Sequence, residues 1–227
     1  MTTGHSPLAN KSKPEYGYEL AYRFAGEQLA KIEDLAEQCH RSGARCEDTD
    51  SGKVITLEYI NQPYRITLPD IEITPVGGTE PVKIKDKILI LEYFILAKGT
   101  PPTHKLITYK EIPDGLNYFP TFSKRAIRPI TSYFGDQPER LLKMAEKLGG
   151  RKADYGDVSA TIDGFNRVPI TFVLWRGDEE FPPEASILFD STISDYLTTE
   201  DIHVLCETIA WKLVRLLKSG GENTDKK

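Results

Sequence analysis

Cysteine is scarce in this sequence: three residues in 227, an odd number and too few for a disulfide scaffold. Histidine is nearly as rare, and no two of His5, His40, His104, His203, Cys39, Cys46 and Cys206 form a recognised metal pair. An excess of positive charge is missing. The 29 Lys and Arg against 34 Asp and Glu leave a formal net charge of −5, which argues against nucleic acid or an anionic membrane as partner. Long apolar runs are missing too. The longest, Ile88 to Ala97, contains Glu92 and is half the roughly 20 residues that a membrane-spanning helix needs. No secretory leader pattern opens the sequence, so a cytoplasmic location is expected. A nucleophile elbow, a Gly-rich phosphate loop, a zincin motif and a dinucleotide fingerprint are all absent.

What is present reads as one globular domain, with 39% hydrophobic and 28% charged residues. Residues 1–14 and 219–227 are polar and lack an apolar face, so they read as tails flanking a domain at 15–218. From Glu15 to about Ser42, Leu20, Phe24, Leu29, Ile32, Leu35 and Ala36 recur at helical spacing, which predicts one amphipathic helix stopped near Gly43. Val54–Ile60 and Tyr64–Leu68 read as strands joined by a turn at Asn61, Gln62 and Pro63. Lys83 to Lys98, apolar on every side, reads as a buried helix closed by Gly99 and Pro101. A short extended segment at Leu106–Tyr109 and a turn at Pro113-Asp114-Gly115 precede two short helices, Thr121–Phe134 and Pro138–Leu148. Pro129 should kink or restart the first. Val158–Ile162, Val168–Trp175 and Ala185–Phe189 form a second group of strands. In the last helix Thr198 and Asp201 make a capping box, and Ile202, Leu205, Cys206, Ile209, Leu213 and Leu217 line one face. Separate blocks of helices and strands predict an α+β domain with a mixed, mainly antiparallel sheet.

Chemistry is suggested by two stretches of opposite charge. Between Lys98 and Gly135, Lys98, Lys105, Lys110, Lys124, Arg125 and Arg128 face only Glu111 and Asp114, and aromatic residues are interleaved. Rings supply stacking area and cations neutralise carboxylates or phosphates, so this stretch suits a planar anionic ligand. The residues assigned to that site are His104, Lys105, Tyr118, Phe119, Phe122, Arg125 and Arg128, with His104 on its stiff Gly-Thr-Pro-Pro-Thr loop as axial metal ligand or proton donor. The competing reading puts the aromatics in the core and the charges in water. Ala153 to Asp201 is the opposite, with eleven carboxylates against Arg167 and Arg176. Its loop at residues 178–184 carries Asp178, Glu179, Glu180 and Glu184, which could bind a divalent cation, act in acid–base catalysis, or dock a basic partner. Cys39 and His40 project about 100° apart on a helix, with Cys46 beyond its end, and read as incidental residues of a helix terminus, a metal or redox site of Cys39, His40 and Cys46 being the alternative. Cys206 reads as core, and His203 as a boundary residue.

Several segments together resemble a family of domains of unknown function: Ile88-Leu89-Ile90-Leu91-Glu92-Tyr93, Gly99-Thr100-Pro101, Tyr118-Phe119-Pro120-Thr121-Phe122, Arg167-Val168-Pro169, the run from Trp175 to Glu184, and Leu188-Phe189-Asp190. The resemblance runs from about Tyr18 to Leu217. That family is most common in anaerobic bacteria and archaea, and some relatives carry an added iron–sulfur domain like that of corrinoid iron–sulfur proteins. The resemblance therefore implies anaerobic one-carbon or corrinoid metabolism, with a cofactor-using enzyme or an iron–sulfur protein as partner. It implies no catalytic residue, and this sequence lacks both a four-cysteine motif and the Asp-x-His-x-x-Gly corrinoid signature. The expectation is a non-catalytic binding or carrier protein for a large anionic cofactor, a corrinoid or another tetrapyrrole. A metal-dependent or acid–base enzyme working through the acidic hairpin, and a regulatory or assembly subunit docking a basic partner, are the alternatives.

Overall fold

The computed structural model describes residues 13–50 and 52–221. Nine strands join in one open sheet whose neighbouring pairs are all antiparallel, and helices pack against it as a single α+β domain. One half of the sheet is a meander of β1 (Arg45–Thr49), β2 (Gly52–Tyr59), β3 (Gln62–Leu68) and β4 (Glu72–Pro75). The other half holds β5 (Leu106–Thr108), β6 (Arg151–Ala153), β7 (Val158–Phe165), β8 (Val168–Trp175) and β9 (Glu184–Asp190). The spatial order is β4-β3-β2-β7-β8-β9-β5, with β1 also on β2 and β6 also on β7.

The seam between the halves is narrow. Tyr59 opposite Phe165 is the single register pair of β2 with β7, supported by the Ile60 amide donating to the Gly164 carbonyl at 2.8 Å. Stacked rings broaden it: Phe165 lies 5.2 Å from Tyr59 and 4.1 Å from Tyr93, the latter nearly parallel. Burial follows the pleat. In β2, Ile55, Leu57 and Tyr59 are buried while Val54, Thr56 and Glu58 are half-buried, so one face is covered. In β8, Ile170 to Leu174 are buried without interruption, so both faces are covered.

The helices are α1 (Lys13–Leu29), α2 (Leu35–Ser42), α3 (Ile84–Leu96), α4 (Gly115–Phe122), α5 (Arg128–Phe134), α6 (Glu139–Lys147) and α7 (Thr199–Gly221). The predicted buried helix is α3, apolar all round because α1, α2 and α7 pack on it. The capping box of α7 forms, with the Thr198 hydroxyl donating to Asp201 Oδ2 at 2.6 Å, and its apolar stripe is buried throughout. Among the described residues no helix is long and apolar enough to cross a membrane.

Several expectations are corrected. The single helix from Glu15 to Ser42 is two, because the Asp34 carboxylate accepts from the Glu37 amide at 2.9 Å and starts α2 afresh. Phe24, counted in its apolar face, is exposed. The β2–β3 turn is Ile60-Asn61, both at positive φ, and Pro63 pairs within β3. Helix begins at Gly115 instead of Thr121; Pro129 does restart it, standing in the first turn of α5, and because it lacks an N–H to bond back four residues, Ser123–Ile127 before it widen into a π-helical turn. Helix is also present at residues 13–14 and 219–221, which composition assigns to the tails. The remainder of both tails lies outside the described residues.

Candidate functional site

The residues assigned to a basic-aromatic wall are divided between core and surface. Phe122 has 0% exposure and stacks on Tyr109 with centroids 3.8 Å apart, in the core. Phe119 is half-buried, with the Lys110 ammonium 4.2 Å from its ring centre. Arg125 sits 3.7 Å from Glu207. Tyr118 and Arg128 are exposed. The reading that put the aromatics in the core therefore holds for Phe122, whose ring is unavailable to any ligand.

His104 and Lys105 are exposed, and the rigidity of their loop has an internal cause. His104 has φ of 59°, a conformation that a non-glycine residue keeps only when tertiary contacts hold it. The holding group is Asp190, the buried last residue of β9. It accepts from the His104 amide at 2.7 Å, from the Thr103 amide and hydroxyl at 3.1 and 3.0 Å, and from the Thr192 amide and hydroxyl at 3.1 and 2.9 Å. Burial pushes this carboxyl up, but the Thr192 and Thr103 donors outweigh burial and bring it down to about 2. The backbone of the loop, and not its imidazole, is the engaged part.

The acidic hairpin is also self-contained. Asp178 Oδ1 accepts from the Glu180 and Phe181 amides at 2.8 and 2.7 Å, which closes the turn and holds the carboxyl below its ordinary value. Arg176 pairs with Glu139, and Glu184 opposes Trp175 across β8 and β9. Among the described residues no three His, Cys, Asp or Glu side chains converge as a metal-binding set.

A concavity lies elsewhere, between the start of α3, the β3–β4 hairpin and the outer side of α7, with a volume of about 870 Å³. Ligand clefts commonly hold about 300–1,000 Å³. Its lining carries the cations Lys83, Lys85, Lys212 and Arg215, the carboxylates Glu80, Asp86 and Glu207, and the rings of Tyr64 and Trp211. Asp86 accepts from the Tyr59 hydroxyl at 2.7 Å. Among the described residues, no carboxylate lies within ion-pair distance of Lys83, Lys212 or Arg215. Burial pushes the Lys212 ammonium below its ordinary value; Asp86 opposes that shift, and the Arg215 and Lys83 charges add to it. Lys83 caps α3 without a side-chain hydrogen bond, so the helix presents its first amides uncapped at the same groove. Trp211, 38% exposed, forms part of one wall.

Sequence reading missed this groove because its walls come from segments near residues 64, 80, 148 and 210. One local signal was available: Val204, Thr208, Trp211 and Arg215 follow helical spacing beside the buried stripe of α7, and a large aromatic residue in a second row marks a second contact face.

His203 borders the core. Its ring meets Phe122 edge-on at 5.7 Å, its Nε2 is buried without a hydrogen-bond partner, and burial lowers its pKa. Below the unfolded value of about 6.5 the unfolded chain binds a proton that the folded chain resists, so stability is full above that pH and falls as pH drops. His203→Phe should flatten the fall in melting temperature between about pH 7.5 and 5.5. Equal slopes for both proteins would contradict this, and the difference between them cancels the burial-raised carboxyls of Glu92 and Asp201.

A family model described as Domain of unknown function (DUF3786) matches residues 34–211. No curated protein and no solved structure matches the chain.

Proposed function

We propose, for a chain that belongs to the DUF3786 family of domains of unknown function, a binding role: the groove along α7 takes a large anionic ligand with a planar part. The observation that carries this reading is the cation cluster of Lys83, Lys212 and Arg215. The Lys212 ammonium, pushed down by burial and further by the Arg215 and Lys83 charges, gains most from an anion beside it. The uncapped start of α3 adds partial positive charge, and Trp211 and Tyr64 offer ring surface.

Tetrapyrroles, corrinoids among them, belong to the ligand class proposed, because their planar rings carry carboxylates or amides at the rim. The groove lining includes no His, Cys or Met, so it fits such a group chiefly by its rim. His104 is not among the residues that line this groove. As part of the same proposal, the domain delivers its ligand to a cofactor-using enzyme or an iron–sulfur protein in anaerobic metabolism.

The test uses Trp211 as reporter. The sequence has two tryptophans, so Trp175→Phe leaves Trp211 as the sole indole. Haemin, cobalamin and flavin mononucleotide are titrated separately into this variant. Saturable quenching by at least one is expected, with affinity reduced about tenfold or more by Lys212→Met, as for loss of a charge-assisted contact of about 1.5–3 kcal/mol. Because the Lys212 ammonium titrates below its ordinary value, affinity should fall before pH reaches about 10.4. Absence of quenching by all three, or quenching indifferent to Lys212→Met, would overturn the reading.

A further inference from the structure

Helix α2 ends in a tight reversal. The Gly43 amide donates to the His40 carbonyl at 3.2 Å, the Ala44 amide to the Cys39 carbonyl at 2.9 Å, and Gly43 itself has φ of 71°. The chain then enters β1 at Arg45, and the reversal folds Cys46 back onto the last turn of α2. The reversal makes neighbours of the two cysteines, and their thiols act on one another electrostatically. Cys39 is buried and Cys46 half-buried, on a strand that lies off the main path of the sheet. The Lys53 ammonium, 2.5 Å from Asp48, acts on both sulfurs. The third cysteine, Cys206, is buried in α7.

We infer that Cys39 and Cys46 form a reversible redox site that closes to a disulfide by exchange with a low-molecular-weight disulfide. Cys46 is the more exposed sulfur and reacts first. Its thiolate attacks one sulfur of the reagent; a new sulfur–sulfur bond forms, the reagent's own bond breaks and one thiolate leaves. The Cys39 sulfur, once deprotonated, attacks Cys46 in the mixed disulfide, and the second thiolate leaves. Two protein thiols lose two electrons, the reagent gains them, and the two cysteine protons end on the two released thiolates. The bridge ties the C-terminus of α2 to β1, where the Arg167 guanidinium donates to the His40 carbonyl at 3.2 Å and Gly99 packs on Arg41. The groove along α7 takes no part, so this inference stands apart from the proposed binding role.

The test uses the full chain, reduced, freed of reductant without air, and equilibrated with oxidised glutathione. Denaturing alkylation should then find one free thiol where the reduced protein has three. Trypsin cuts after Arg41 and Arg45, so residues 32–41 should remain joined to residues 46–53 in a peptide about 2 Da lighter than the sum of its parts. Cys206→Ser should lose both remaining thiols, and Cys39→Ser should keep a glutathione adduct on Cys46. Three persistent thiols in protein with a native circular dichroism spectrum, a bridge that includes Cys206, or an adduct on Cys46 that never resolves in the unmodified chain would each overturn the inference.

Discussion

Gly115→Ala should cost about 3 kcal/mol or more of folding stability, the range of overpacking in a junction that cannot yield. A Cβ at this position would stand 1.8 Å from the Tyr109 carbonyl oxygen and 2.8 Å from Ile112 Cγ1. The oxygen is backbone of the 3₁₀ turn Tyr109–Glu111, whose side chains are fixed by the Tyr109–Phe122 stack and by the Glu111 carboxylate accepting from Thr108. Relief requires separating that turn from α4, which pulls Tyr109 off Phe122. Gly17→Ala is the matched control: nothing lies within 4 Å of the added Cβ, and alanine in a helix gains about 0.5–1 kcal/mol over glycine. Chemical denaturation of both variants gives the comparison, and a Gly115→Ala protein as stable as the parent would show that the junction is looser than described.

Asp190→Asn should lower stability at about pH 7 by about 2 kcal/mol, taking roughly 1.4 kcal/mol per pKa unit for a carboxyl moved from its ordinary value. The carboxylate has two oxygens serving five donors, one oxygen holding the threonines and the other the His104 amide. An amide that keeps its oxygen on the threonines must aim NH₂ at the His104 N–H, so that donor loses its acceptor and His104 loses the contact that holds its positive φ. Sign follows from linkage: a carboxyl lowered in the folded state contributes its stability above the unfolded value of about 3.9 and loses it as pH falls toward about 2. The variant should therefore lack this acid-dependent loss and show faster amide exchange at His104. A change below about 0.5 kcal/mol with an unaltered acid limb would contradict the role given to Asp190.

Legibility in the sequence tracked how local the determining physics is. The α7 stripe, the capping box at Thr198 and the alternation in β3 are set within one element, and each was readable. The break at Asp34 was masked because apolar residues kept helical spacing across it, although Asp34 followed by Glu37 is itself a start signal. Phe122 could not be placed, since an aromatic beside cations reads equally as ligand wall or core; the Tyr109 ring brought beside it by the 3₁₀ turn decides between them. Cys39 and Cys46 meet through the reversal at Gly43, and the groove gathers residues more than a hundred positions apart. Neither leaves a periodic trace.

Backbone amide NMR mapping tests most directly where this domain binds. The ¹⁵N-labelled chain is titrated with whichever probe quenches Trp211, or with flavin mononucleotide if haemin paramagnetism obscures signals. Saturable shifts are expected at Lys83–Asp86, Tyr64 and Glu207–Leu216, with Thr103–Lys105 and Tyr118–Arg128 unmoved. Shifts centred on His104 and Tyr118 would return the site to the loop and helix that sequence alone suggested, and absence of saturable shifts anywhere would contradict the binding role itself.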